Sequence, residues 1–354
     1  MSSVRQIAKL AKVSVATVSR ALNNHPDVDP STRDRVVAAA NKSRYVPGVG
    51  KRITTVIGLV YPAEPVKADY GAFDSALLSG ILRGVNEQKF DVKLVSLHRD
   101  KSTDESYTQF FMRKGLRGVI LRTFESTRSV CQAIAAEGFP SIVVADRFDD
   151  PKVNYICCDS RDDSRRVVDH LIQLGHRRIA CAIHNVPDTD HRDRREGYVQ
   201  ALADHQIPLD PTLIFEIVAS FDGGVAAINR IMGEPKPPTA IFFTDPLATL
   251  GALRRCQELS IDIPDDLSIV GFDDSDIRQH TWPAFTAVCQ DARMLGEEAA
   301  LWLTRSLLGQ AETHLRLIRP TMLEINRTTA RPSRERYRLL PDGTRAAVGG
   351  LKTR

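Results

Sequence analysis

Apolar residues recur every three or four positions at the start of the chain, then give way to short unbroken runs. Val4, Ile7, Ala8 and Ala11 fall on one helical face, which predicts a short amphipathic helix over residues 4–11. After Lys12-Val13, Ser14 stands where a cap belongs, ahead of a second helix with Val15, Val18, Ala21 and Leu22 on its apolar face. Asn23-Asn24-His25-Pro26 ends it, and Asp29 before Pro30 predicts a third helix start, with Val36, Val37 and Ala40 on the buried side. From Ile53 the texture is strand alternating with helix: strands at 56–61, 92–97, 118–122 and 141–146, helices near 74–88, 104–114 and 128–137. A second run follows, with strands at 153–158, 178–183, 239–243 and 267–271 and helices near 162–174, 192–205, 222–232 and 247–260. Repeated β-α-β connection implies parallel sheets wrapped by helices, here in two lobes. FTAVCQ, a helix near 291–308 and LRLIRPTMLEI are too little for a third lobe and are expected to complete the first two.

Composition leaves the picture of a soluble globular protein, with 42% hydrophobic and 26% charged residues and no apolar run near the ~20 residues of a membrane span. The start MSSVRQIAKLAK has no apolar signal core, so cytoplasmic residence is expected. The six cysteines are scattered, without a C-x-x-C pair, and read as reduced thiols. Charge changes the picture more. The net +4 conceals +7 over residues 1–52 and +5 from Arg331 onward, leaving −8 between them. A basic head on an acidic body suggests that the head meets a polyanion, although a basic face is often merely solvated.

Two short helices joined by a turn suit a helix-turn-helix, whose second helix enters the major groove; an ordinary helical hairpin shares that spacing. Ser14, Thr17 and Ser19 are placed to bond phosphates, Arg20 to fork onto a guanine edge, and Val15 and Ala16 to meet thymine methyls. VRQIAKLAKVSVATVSRALNNHPDVDPSTRDRVVAAANKSRYVP resembles the N-terminal domain of the lactose-repressor (LacI/GalR) family of bacterial transcription regulators. The resemblance continues through VIGLVYP, GFPSIVVADR, HLIQLGHRRIA, RREGYVQAL, PTAIFFTDPLATLGALR, IPDDLSIVGFDD and the run from FTAVCQ to LGEEAA.

The resemblance implies an all-α helix-turn-helix domain followed by a two-lobed α/β body like the type I periplasmic binding proteins, with an effector held between the lobes. It puts the base-reading pair on Val15 and Ala16, the groove arginine on Arg20, and the phosphate contacts on Ser14, Thr17, Ser19 and Asn23. For the effector it implies Arg194 ahead of Gly197-Tyr198, Asp273 in VGFDD, Asp146 at the end of IVVAD, and Phe73 as a stacking aromatic. A guanidinium and carboxylates at strand ends suit the hydroxyls of a sugar ring. Asp146 has a competing role as an ion pair with Arg147, and either Asp273 or Asp274 as a cap. The chain departs from the family in three places. Thr244 stands before Asp245 where asparagine is usual, and Ala219 stands at the aromatic wall, with Phe221 displaced. After Tyr45-Val46-Pro47 the hinge segment is short and carries Gly48 and Gly50. Lys51 and Arg52 remain to hold phosphates, while the leucine wedge into the minor groove lacks its residue.

The expected division is a DNA-binding domain over 1–47, a shortened hinge over 48–55, an effector and dimerisation body over 56–330, and a basic tail over 331–354 without ordered structure. Within the body, one lobe takes about 56–157 plus 290–318 and the other about 158–289 plus 319–330. The cluster His184, Asp188, Asp190, His191 and Asp193 matches no zinc spacing and reads as a solvated loop; no metal, cofactor or catalytic set is expected. The function expected is a non-enzymatic repressor, a homodimer on double-stranded operator DNA with an inverted repeat, switched by a sugar or sugar derivative. A sugar-binding transport receptor is the alternative that the body alone permits.

Overall fold

The computed structural model describes residues 4–22, 27–42, 54–61, 71–185, 188–333, 337–340 and 344–348. Asn23, Lys51, Arg52 and the hinge as far as residue 53 lie outside the described residues. The chain divides into two units, residues 1–68, 81–155 and 297–316, and residues 69–80, 156–296 and 317–354.

The first three elements are α1 (Val4–Ala11), α2 (Val15–Leu22) and α3 (Pro30–Lys42). Lys12 takes the left-handed conformation (φ 56°) that reverses the chain after α1, and Val13 donates back to the Ala8 carbonyl at 3.0 Å. Ser14 caps α2 by accepting from the Thr17 N–H at 3.0 Å, and Asp29 caps α3 by accepting from Thr32 N–H at 3.0 Å and the Ser31 hydroxyl at 2.7 Å. Bonds from Thr32 and Ser31 hold the Asp29 carboxyl down at about 2. Ile7, Val18 and Val36, one from each helix, are fully buried together with Ala8, Ala11, Ala21 and Ala40. Val15, whose period assigned it to the apolar face, is instead 47% exposed.

Then come β1 (Val56–Tyr61), α4 (Ala72–Glu87), β2 (Asp91–Ser96), α5 (Leu97–Asp100), α6 (Tyr107–Arg113), β3 (Gly118–Arg122), α7 (Arg128–Ala136), β4 (Ser141–Val144) and β5 (Tyr155–Asp159). After them follow α8 (Arg161–Leu174), β6 (Ile179–His184), α9 (Thr189–Asp204), β7 (Ile214–Ile217), α10 (Phe221–Gly233), β8 (Ala240–Phe243), α11 (Pro246–Glu258), β9 (Ser268–Asp273), β10 (Thr286–Cys289), α12 (Ala292–Leu307), β11 (Arg316–Pro320) and β12 (Met322–Glu324). One sheet has the order β11-β5-β4-β3-β1-β2, the other β12-β10-β9-β8-β6-β7. β1 pairs in parallel with β2 and β3, and β3 with β4. In the second sheet β6 pairs in parallel with β7 and β8, β8 with β9, and β9 with β10, while β12 joins β10 antiparallel. The strand at 153–158 that opened the second run by pattern lies in the first sheet beside β4. β7, only four residues long, is a strand that the pattern did not mark.

The second sheet is covered on both faces. One core gathers Ile228, Ile241, Phe243, Ile269 and Ala252, the other Val168, Cys181, Tyr198, Phe242 and Phe272. α10 and α11 cross so closely that a Cβ on Gly224 would strike the Ala248 carbonyl oxygen, and one on Gly251 the Phe221 carbonyl oxygen. His176 ties the departing chain to this core: its Nδ1 meets Thr239 Oγ1 and its Nε2 the Ala330 carbonyl, both at 2.8 Å.

The tail departs from expectation. Residues 337–339 and 345–347 form an antiparallel hairpin, β13 (Tyr337–Leu339) with β14 (Arg345–Ala347). Strands of three residues leave no periodicity to read, and tertiary anchors order them instead. Leu339 enters the Ile228–Ile269 core, the Tyr337 hydroxyl donates to Asp266 at 2.8 Å, and the Arg345 guanidinium lies 4.2 Å over the Tyr337 ring. Leu339→Ala should therefore lower the unfolding free energy by about 2 kcal/mol or more, as expected for a truncated core leucine. Urea denaturation followed by circular dichroism measures it, and an unchanged midpoint would show that the hairpin does not pack.

Candidate DNA-reading helix and effector site

α2 has two distinct faces. Val18 and Ala21 are buried in the three-helix core, while Ser14, Val15, Ala16, Ser19 and Arg20 are exposed and Thr17 is half-buried. The exposed set combines apolar, hydroxyl and guanidinium groups, the groups that read thymine methyls, phosphates and guanine edges. Among the described residues no carboxylate engages Arg20. The Ser14 and Thr17 hydroxyls lie 2.8 Å apart and bond each other, so part of their capacity is spent starting the helix.

The other candidate site lies in the second unit, at the carboxyl ends of its parallel strands, where open α/β sheets bind ligands. Asp188 caps α9, accepting from the His191 N–H at 2.8 Å and meeting its Nδ1 at 2.7 Å. One turn on, Arg194 is 4% exposed, with its Cζ 3.5 Å from the centre of the Phe272 ring. Its Nη1 donates to the Thr244 carbonyl at 2.6 Å, its Nη2 stands 4.0 Å from the Asp190 carboxylate, and its Nε has no hydrogen-bond partner. The Thr244 hydroxyl accepts from the His184 N–H at 3.0 Å. Asp245 caps α11 through the Ala248 N–H at 2.9 Å, and burial raises its carboxyl.

The paired aspartates divide their roles. Asp273 accepts from the backbone N–H of Ser275, Ile277 and Arg278, each at 3.1 Å, and from Arg278 Nη1 at 2.8 Å. Its carboxylate is thereby committed to shaping the loop that follows β9. Asp274 is 4% exposed and receives the Gln290 side-chain amide at 2.6 Å on one oxygen. Burial pushes its carboxyl up to about 7, against the pull of Arg194 and Gln290 and with the push of Asp245 and Asp273. A cavity of about 550 Å³ opens beside it, lined among others by Arg278, His280, Gln290, Asp291 and Met294, a volume that suits a small ligand. The doublet in VGFDD was the legible signal; which member would face a ligand was not.

Asp146 belongs to the first unit and is 2% exposed. It pairs with Arg128, whose Nη1 lies 2.5 Å from both carboxylate oxygens, and accepts from the Arg147 backbone N–H at 2.8 Å. Arg128 in turn stacks 4.0 Å over Phe148. Phe73 is half-buried in the first turn of α4. The cluster around His191 is no solvated loop: Asp188, Asp190 and Asp193 are buried, and the His184 ring meets His191 edge-on at 5.0 Å. Among the described residues no group of three such side chains is arranged to hold a metal ion. Cys157 and Cys158 are both buried, and burial pushes the Cys158 thiol up to about 12, which leaves it unreactive.

The raised Asp274 carboxyl predicts a pH dependence of definite sign for the second unit. A carboxyl whose folded value lies above its unfolded one stabilises fully below the unfolded value of about 4, and that contribution is lost as pH rises through about 7. Asp274→Asn should flatten this fall, so that wild type and variant converge in acid and the variant melts higher above neutrality. Parallel melting curves across that range would remove Asp274 as the source.

Residues 3–48 match the family described as bacterial regulatory proteins, lacI family, and residues 168–329 the periplasmic binding protein-like domain. The HTH-type transcriptional regulator DegA of Bacillus subtilis (strain 168) is 28% identical over 93% of this chain and 98% of its own length. The HTH-type transcriptional repressor CytR of Escherichia coli (strain K12) is 29% identical over 87% of this chain and 91% of its own. The transcriptional regulator CelR, solved in complex with cellobiose, shares 27% identity with a TM-score of 0.64, over 93% of this chain and all of that one. A LacI-type helix-turn-helix head on a periplasmic-binding-protein-like body thus makes this chain a LacI-family transcriptional regulator.

Proposed function

We propose that this regulator is a cytoplasmic repressor that binds an inverted-repeat operator as a homodimer and is switched by a small sugar or sugar derivative. The observation that carries the reading is α2: its inner face is spent on the head's core, and its outer face presents Val15, Ala16, Ser19 and Arg20, exposed among the described residues. A helix built that way has its reading residues held rigidly by the other two helices. Trp282, 87% exposed beneath the Arg327 guanidinium, supports a dimer, because large aromatics concentrate where interfaces form.

For the effector, Arg194 and Asp274 are the residues proposed to receive it, with Thr244 positioning Arg194 through its carbonyl. Arg194 has an unused Nε donor and Asp274 an oxygen beside the cavity, a donor and an acceptor of the kind that fix the orientation of a polar ligand. The cellobiose carried by the relative CelR supports a sugar. The switch requires the effector to prefer one conformation of the body, since equal affinity for two conformations shifts neither. Asp273 and Asp146, with Arg278 and Arg128 already in place, are proposed to hold the walls of their own units.

Two substitutions test the assignment in gel shifts with operator DNA. Arg20→Ala should weaken binding by about 1 to 3 kcal/mol and relax selectivity at one base pair, the loss expected for a bidentate guanine contact. An unchanged footprint would remove Arg20 from the reading face. Arg194→Ala should abolish the effector response with operator affinity retained, and a preserved response would move the pocket elsewhere.

A further inference from the structure

The charge around the cavity beside Asp274 narrows the class of effector, an inference that rests on the effector reading above. Asp274, Asp276, Asp291, Arg278 and Arg293 line this cavity. Behind the wall, Arg278 is shared by three carboxylates: Asp273 at 2.8 Å, Asp276 at 2.9 Å and Glu324 at 2.5 Å. One guanidinium neutralises one of them. Asp291 caps α12 through the Met294 N–H at 2.8 Å and places its carboxyl on the exposed rim, where Arg293 is also exposed. Three carboxyl groups on the cavity and two behind its wall thus stand against three guanidinium groups, Arg278, Arg293 and Arg194, so carboxylates outnumber guanidinium groups even with Asp274 neutral. Asp274 is the buried carboxyl among those lining the cavity, and among the described residues its side chain bonds a neutral amide, that of Gln290. Arg194 gives its Nη1 to the Thr244 carbonyl and, at 3.4 Å, to His191 Nε2, and its face to Phe272, which leaves its Nε for a ligand.

A ligand bearing phosphate or carboxylate would add like charge to this wall. A hydroxyl would bond Asp274 and leave the excess charge in place, whereas an ammonium group would satisfy both the free oxygen and the charge. We propose that the effector is an amine-bearing small molecule of sugar size, an amino sugar in the simplest case, with its ammonium group received by Asp274. Burial raises the Asp274 carboxyl, and an ammonium group beside it would draw it down again; Arg194, Asp245, Asp273 and Cys158 act on it as well as the groups that line the cavity.

Thermal-shift titration of the full chain near neutral pH tests the proposal with matched probes. These are D-glucose, D-glucosamine and D-glucose 6-phosphate, with the corresponding galactose and mannose sets. Within at least one set the amine should bind about tenfold or more tighter than the neutral sugar, with no stabilisation by the phosphate. Asp274→Asn should erase that preference. Asp291→Asn, which keeps a side chain able to cap α12, should reduce it and serves if the buried variant does not fold. Equal or better binding of neutral or phosphorylated members overturns the proposal, as does silence from every amine or a preference that survives both substitutions. Failure of the underlying effector reading looks different: a probe then stabilises the chain and leaves operator binding unchanged in the gel shift.

Discussion

The cavity end of the second unit depends on one buried guanidinium. Arg278, 3% exposed, bonds the carboxylates of Asp273, Asp276 and Glu324, and so ties the end of β9 to the loop after it and to β12 at the sheet's edge. A buried ion of this kind is costly unless its partners are well aligned, and losing one partner strands the rest without compensation. With Asp273 held there, its neighbour Asp274 is left as the buried carboxyl beside the cavity, which Asp276 and Asp291 also line. The same logic recurs in the first unit, where Arg128 occupies Asp146.

Around that tie the second unit is stiff. α10 and α11 touch backbone to backbone at Gly224 and Gly251, and β6, β8, β9 and β10 lie side by side in one sheet. Arg194 is braced by this frame, with Phe272 of β9 beneath it and the carbonyl of Thr244, just after β8, in front. Groups held in this way need little reordering when a ligand arrives, which is where affinity is otherwise lost. The three-helix head has its own small core and its own caps, so the reading face of α2 is fixed locally.

Much of this was legible in the chain. The helices of the head, the cap at Ser14, the cap at Asp29 and most strands of both sheets follow from local periodicity and capping chemistry, because each is decided within a few residues. The outward turn of Val15 was half legible, since the same residue fits both the apolar period and the reading face. The hairpin at 337–347 was not, because short strands acquire order only from Leu339, Tyr337 and their distant partners.

The sequence by itself determined the kind of protein: a helix-turn-helix head, an α/β body, and the positions at which arginines and aspartates end strands or start helices. Only the tertiary structure decided which of those charges are already spent. Asp146 is already engaged because Arg128, eighteen residues before it, folds against it. Asp273 and Asp274 are adjacent and chemically identical, yet one is consumed by Arg278 and the other is left beside a cavity. The physical reason is that burial and pairing are properties of what surrounds a group in space, and residues distant along the chain supply them.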